Sequence, residues 1–251
     1  FEKAGIAKYG VPLVTQAYSP SMQQRVVEQA NRVGAIATIR GKDWDAEISD
    51  GQLHYKDGFE NVWVPLPTMA GRHQADNAAL AIAMIMHQSQ ISIPREAMAK
   101  AMLTTRWPAR MHQLRPGPLL DILPEGSTIW LDGGHNPDAG AALAKALDGS
   151  GRLHMICGLL KNKDAMGFLK PLAHRIASFQ AVPIPGHEHH DPDDLCRWVQ
   201  DDLNIIDARP SRDVTDALNQ LAKAKMPVPA LICGSLYLAG EVLRMNAERP
   251  D

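Results

Sequence analysis

No run of the sequence is apolar for the roughly 20 residues that a helix needs to cross a bilayer; the longest, around Ala78 to Met86, falls far short. The opening Phe1-Glu2-Lys3 is not a basic, apolar leader, so no signal peptide is expected. A formal net charge of −2 leaves no electrostatic footprint for nucleic acid or an anionic membrane, and neither is expected as a partner. Cysteine is scarce: Cys157, Cys196 and Cys233 are widely spaced and form no CxxC pair. Two of them sit in apolar strand-like runs, so all three are expected to be reduced core thiols and the compartment cytoplasmic. Internal repeats and low-complexity segments are absent. No G-x-G-x-x-G follows a strand, which weighs against a nicotinamide-dependent dehydrogenase.

What remains is an ordinary globular composition, 45% hydrophobic and 22% charged, over 251 residues. That length holds one large domain or two ordinary ones. In the first half, Gln23 to Val33 has helical spacing and Ala35 to Ile39 reads as a short strand. Glu47 to Val64 alternates and is punctuated by Asp50-Gly51 and Asp57-Gly58, which are hairpin signals. Asn77 to Met86 is apolar nearly all round, the mark of a buried helix, and a second helix is predicted from Pro94 to Met102. The chain opens directly at an Ala-Gly-Ile turn with no initiator methionine, so it is expected to begin inside a longer protein.

The second half alternates short strands with helices. Strands are predicted at Leu119–Leu123, Thr128–Leu131, Leu153–Cys157, Ser178–Val182 and Ala230–Cys233. Helices are predicted at Pro137–Leu147, Asp164–Ile176, Asp191–Asp202, Val214–Lys225 and from Leu236 to Asn246. This alternation implies an α/β fold with a mostly parallel sheet covered on both faces. A proline and a shift of composition near Trp107-Pro108-Ala109 divide the chain into 1–108 and 109–251.

Three strand ends carry chemistry. After Leu131 the chain reads Asp132-Gly133-Gly134-His135-Asn136-Pro137-Asp138: a strand ends in an acid, glycines turn it, and a helix opens with Asn136 as N-cap and Pro137 at its first position. The first N–H groups of that helix suit a carboxylate or phosphate. Taken by itself this is equally an ordinary strand-to-helix turn. Two further turns tip the balance, because Leu153–Cys157 leads to Lys161 and Lys163, and Ala230–Cys233 leads to Gly234-Ser235. Open parallel sheets bind ligands outside the carboxyl ends of their strands.

These residues carry a resemblance. The segments Glu2-Lys3-Ala4-Gly5-Ile6, Gly71-Arg72-His73-Gln74-Ala75-Asp76-Asn77, Trp107-Pro108-Ala109-Arg110, Asp132 to Pro137, Lys161-Asn162-Lys163-Asp164 and Cys233-Gly234-Ser235-Leu236-Tyr237 run from end to end of the chain. In that order they resemble the folylpolyglutamate synthases and bifunctional dihydrofolate synthases of the Mur ligase superfamily. The resemblance implies a remnant of the Mur-ligase central domain followed by a Rossmann-like, glutamate-binding C-terminal domain. It implies ATP and Mg2+ as cofactors, folate or dihydropteroate and L-glutamate as substrates, and a monomer. Lys3 corresponds to a lysine carbamylated in the family, where the carbamate supports magnesium and catalysis. Asn77 corresponds to an asparagine near the adenine, Arg110 to an arginine on the ATP phosphates, and Asp132 to an acid meeting the nucleotide. His135, Lys163 and Ser235 correspond to glutamate-binding groups, with His135 also catalytic. The family's Pro-Gly-Arg is here Pro-Ala-Arg, which leaves Arg110 open to reading as a linker arginine.

The family also binds ATP on a glycine-rich loop ending in Gly-Lys-Ser or Gly-Lys-Thr. The one Gly-Lys pair here, Gly41-Lys42, is followed by Asp43. The chain is therefore expected to be the C-terminal part of such a ligase and inactive by itself. His187-Glu188-His189-His190-Asp191 mimics an HxHxD metal motif, but Pro192 stands where a further histidine belongs, and an exposed loop is expected instead. A Mur ligase of peptidoglycan synthesis, or a nucleotide- or amino-acid-binding module without catalysis, stay open as alternatives.

Overall fold

The computed structural model describes residues 2–69 and 71–248, which group into two compact units. The first comprises Phe1–Thr68 with Arg72–Thr105, and the second Met69–Gly71 with Arg106–Asp251. Each is described by itself.

In the first unit a 3-10 turn, Glu2–Ile6, precedes strand β1 (Pro12–Thr15), helix α1 (Pro20–Val33) and strand β2 (Ile36–Ile39), which pairs parallel with β1. Pro20 sits where a missing N–H costs nothing, and Gly34, at φ 71°, ends the helix in the left-handed region that suits glycine. Three antiparallel strands follow: β3 (Trp44–Ser49), β4 (Gln52–Asp57) and β5 (Asn61–Pro65). Asp50 and Gly51 both have positive φ, the geometry that matches a two-residue hairpin to the strand twist. In the second hairpin the Asp57 carboxylate accepts from the backbone of Phe59 and Glu60 and from the Tyr55 hydroxyl. One face of the meander, Trp44, Leu53, Tyr55, Val62 and Val64, packs with Ala79 and Ile82 of α2 (Arg72–Met86) and Met98 of α3 (Arg95–Thr104). Helix α2 starts at Arg72, five residues before the apolar run announces it, because its first turn is polar. Pro94 caps α3 from outside instead of opening it.

The second unit is a six-stranded sheet. Its strands are β6 (His112–Gln113), β7 (Thr128–Asp132), β8 (Leu153–Cys157), β9 (Ile176–Ala181), β10 (Ala208–Pro210) and β11 (Pro229–Cys233), ordered β10-β9-β8-β11-β7-β6. All pair in parallel except the two-residue edge strand β6. Successive strand residues point to opposite faces, so Ile129, Ile156 and Ile232 pack on α7 (Val214–Ala222) and α8 (Leu236–Met245). Met155, Phe179 and Leu231 face α4 (Pro137–Ala146), α5 (Ala165–Leu169) and α6 (Pro192–Leu203) on the other side. Each such side chain, fully buried, contributes roughly 1.5–3 kcal/mol. Gly140 lets α4 approach the Phe168 carbonyl so closely that any Cβ would collide with it.

Two elements differ from expectation. Leu119–Leu123 is no strand; its middle, Leu120–Ile122, is a 3-10 turn between Pro118 and Pro124. Leu119 and Leu123, four apart, are both buried, which is helical and not alternating spacing. The helix expected over Asp164–Ile176 splits into α5 and a 3-10 segment, Lys170–Arg175, because Pro171 has no N–H to continue the ladder.

Candidate functional site

Strand β11 lies between β7 and β8, with Cys233 in register with Asp132 on one side and Cys157 on the other. Three parallel strands thus end at one level, and each is followed at once by glycine: Gly133, Gly158 and Gly234. The close approach of the turns requires this. A Cβ on Gly133 would run into Leu236, and one on Gly158 would lie 2.9 Å from the Val182 carbonyl oxygen. Gly234 has φ 108°, and its Cβ would lie 2.5 Å from the Gly158 carbonyl oxygen.

Asp132 is 8% exposed, and both its oxygens accept from backbone: Oδ1 from Gly134 N–H at 2.7 Å and Oδ2 from Met111 N–H at 2.9 Å. The Ala109 carbonyl in turn accepts from Gly133 N–H at 2.8 Å. Ala109 and Met111 both sit at positive φ, 59° and 44°, a conformation that costs a residue other than glycine and must be held by its surroundings. Exposed Arg110 lies between these two tethered residues. Asp132 therefore fixes the backbone that presents Arg110, a role the sequence reading did not contain.

His135 is half-buried, and its Nδ1 donates to the Gly133 carbonyl at 2.9 Å, since a carbonyl can only accept. Nε2 is left for a ligand. Asn136 caps α4 by accepting from Ala139 N–H at 2.8 Å, with Pro137 next, as expected. Ser235 is 2% exposed and its Oγ accepts from Tyr237 N–H at 3.1 Å, capping α8 and leaving the hydroxyl proton to donate elsewhere. Lys163 is half-exposed just before α5, where Asp164 accepts from Gly167 N–H at 2.8 Å. The structure thus brings the Asp132, His135, Lys163 and Ser235 turns to one edge of one sheet, at the positive ends of α4, α5 and α8.

The remaining predicted residues lie elsewhere. Asn77 is exposed in the second turn of α2, and its amide donates to the Gln74 side chain at 3.3 Å. Its neighbour Asp76 accepts from Arg40 at 2.7 Å, and the Asp76 carbonyl from Gln16 at 2.7 Å. Burial lowers the Arg40 value, but Asp76 and Asp45 together outweigh it and hold the guanidinium firmly charged. Lys3 falls in the Glu2–Ile6 turn, but its side chain lies outside the described residues. Among the described residues no three His, Cys, Asp or Glu side chains gather to hold a metal ion. All three cysteines are buried and free. Burial pushes the Cys196 thiol up to about 11, and a hydrogen bond from Cys157 together with burial raises Cys233, so neither is a nucleophile. No helix of the described residues is long and apolar enough to cross a membrane.

The comparisons with known proteins agree with this architecture. The model of the family "Dihydrofolate synthetase, C-terminal domain" matches residues 120–245. The folylpolyglutamate synthase of Lacticaseibacillus casei is 27% identical over 96% of this chain and 55% of its own length. The dihydrofolate synthase/folylpolyglutamate synthase of Escherichia coli K12 is 24% identical over 97% of this chain and 54% of its own. A crystal structure of a bifunctional folylpolyglutamate synthase/dihydrofolate synthase with Mn, AMPPNP and L-glutamate bound superposes with TM-score 0.76 at 25% identity, over 97% of this chain and 55% of that one. The chain spans about half the length of the curated relatives it matches. A three-turn site at the carboxyl edge of a parallel sheet, inside a stretch matched by that family model, makes this chain a member of the dihydrofolate synthetase family, carrying its C-terminal domain.

Proposed function

We propose that this chain serves an ATP-dependent ligase that joins L-glutamate to a folate-type acceptor, dihydropteroate or a folate that already bears glutamate. The observation that carries the reading is the alignment of the His135, Lys163 and Ser235 turns on one sheet edge, in a chain similar to glutamate-adding enzymes. The Lys163 ammonium and the free Ser235 hydroxyl proton suit the carboxylates of glutamate, and His135 Nε2 suits its amine. In the reaction the acceptor carboxylate takes the γ-phosphoryl group of ATP and becomes an acyl phosphate. The glutamate amine then attacks the acyl carbon, phosphate departs with the bonding pair, and the amine releases a proton to base or water. Orientation of the amine is this unit's contribution, and fixing two reactants in place supplies several kcal/mol of a barrier. Asn77 and Arg110 are assigned to ATP, with Asp132 acting through the Arg110 backbone. Lys3, as a carbamate, is assigned to magnesium support. The described residues offer no magnesium ligand set, and none of the roles given to them passes through the metal.

Two measurements test the reading. The 251-residue chain by itself should release no phosphate from ATP in response to glutamate, because its one Gly-Lys pair does not end a phosphate loop; turnover would contradict this. In a protein of the relatives' full length that includes this chain, His135→Ala should raise the glutamate KM or lower kcat by about tenfold, leaving the ATP KM nearly unchanged. Unchanged glutamate kinetics would refute the assignment.

A further inference from the structure

The loop between β9 and α6, with its cluster of histidines, has no role in the account so far. It is not a free surface loop. Pro185 and Gly186, the latter at φ 74°, make a turn closed by His187 N–H donating to the Ile184 carbonyl at 3.2 Å. That geometry fits a type II turn, with proline and glycine each where the turn demands them. The turn lays the His187 ring on Tyr237, centroids 3.7 Å apart and planes 27° apart. Tyr237 is in the first turn of α8, and its N–H is the group that holds Ser235 Oγ.

Beyond His187 the loop pairs with the turn that follows β8. Lys161 N–H donates to the Glu188 carbonyl at 3.1 Å, and His190 N–H to the Leu159 carbonyl at 2.9 Å. The His190 side chain completes the clamp, with Nε2 donating to the Lys163 carbonyl at 2.8 Å. Its ring is set edge-on to Trp198 of α6, centroids 5.4 Å apart, which fixes the direction of that bond. Asp191 then caps α6 by accepting from Asp193 N–H at 2.8 Å, so the strap is anchored at its far end as well.

One loop therefore grips two of the three turns of the site, the Lys163 turn through His190 and the Ser235 helix through His187. We infer that His187 and His190 are positioning residues for glutamate, setting the placement of the Ser235 helix start and of the Lys163 backbone without touching the amino acid themselves. The inference rests on the proposed reading of this edge as the glutamate site. It also explains why the histidines are unavailable as a metal motif: His190 is committed to Lys163, and His189 Nδ1 donates to the His187 carbonyl at 2.7 Å.

The test is titration of L-glutamate into the 251-residue chain by calorimetry, comparing His187→Ala, His187→Phe, His190→Ala and His190→Gln. The alanine variants should each bind about two- to tenfold more weakly, the worth of one aromatic stack or one hydrogen bond, with the phenylalanine and glutamine variants restored to within about twofold. A merely structural effect would not be rescued in this paired way, one variant by a ring and the other by an N–H donor. Should His190→Ala fail to fold, the His187 pair decides the matter, since that side chain is exposed and its removal leaves the core intact. Folded alanine variants that bind like the parent, or conservative variants as weak as alanine, would overturn the inference. A parent chain that binds no glutamate would instead overturn the reading on which it rests.

Discussion

Asp132 looks from its place in the sequence like a ligand-facing acid, yet its two oxygens hold the backbone of Gly134 and Met111. Replacing it with alanine removes two charge-assisted bonds and releases the strained stretch around Arg110. Asp132→Ala should lower stability by roughly 3 kcal/mol in urea denaturation, and an unshifted midpoint would contradict the role. Glycine positions separate in the same way. Gly234→Ala must both adopt positive φ and push against the Gly158 carbonyl, and should cost roughly 1–3 kcal/mol or more. Gly240, exposed on α8 with open space around it, should gain roughly 0.5–1 kcal/mol as alanine. His154 sets a pH dependence. Burial depresses its imidazole below 6.5, with the charge of Asp207 opposing only in part, while its Nδ1 meets Ser178 Oγ at 2.7 Å. Above 6.5 the ring is neutral in both states; as the pH falls, the unfolded chain takes up the proton first, so stability declines until the folded value is passed. The slope of the urea midpoint below pH 6.5 should therefore flatten in His154→Gln, and an unchanged slope would sink the assignment.

At the level of elements, side-chain caps do much to define the second unit. Asn136, Asp164, Asp191, Asp213 and Ser235 each accept a backbone N–H at the start of a helix. Such caps are local, and Asn136-Pro137 and Ser235 were legible in the sequence for that reason. The signal fails where burial has to be inferred from short apolar runs: Leu119 to Leu123 reads as a strand until its two flanking prolines and its four-residue spacing are weighed together. Strand β10 escapes notice because three residues ending in Pro210 carry no alternation, which is tolerable only at a sheet edge. Caps at and away from the site should be separable. Asp213→Ala and Asn136→Ala should each cost about 1 kcal/mol in stability, but only Asn136→Ala should weaken glutamate binding, because α7 starts beyond edge strand β10. Equal effects of the two on binding would show that binding merely tracks stability.

Across the whole molecule, the parallel order β10-β9-β8-β11-β7 is what turns scattered motifs into one site, since it aligns Asp132, Cys157 and Cys233. The alternation of strands and helices made that sheet predictable, and the three strand-end turns followed from it. The strand order itself was not legible, nor were the contacts it creates between residues far apart in the chain. The stack of His187 on Tyr237 joins positions 50 apart, and the Asp132 bond to Met111 joins positions 21 apart. No local pattern encodes either. The roles of Asn77 and Arg110 came from resemblance and not from physical pattern, and they remain proposals. The account turns on one assertion, that the three strand ends form a single glutamate site. The measurement that meets it head-on is an amide NMR titration of the 251-residue chain with L-glutamate. Saturable shifts that appear together at Gly134, Lys163 and Ser235 with one shared affinity, and that weaken together in His135→Ala, are the predicted result. Shifts confined to one turn, different affinities at the three, or no change in His135→Ala would contradict it.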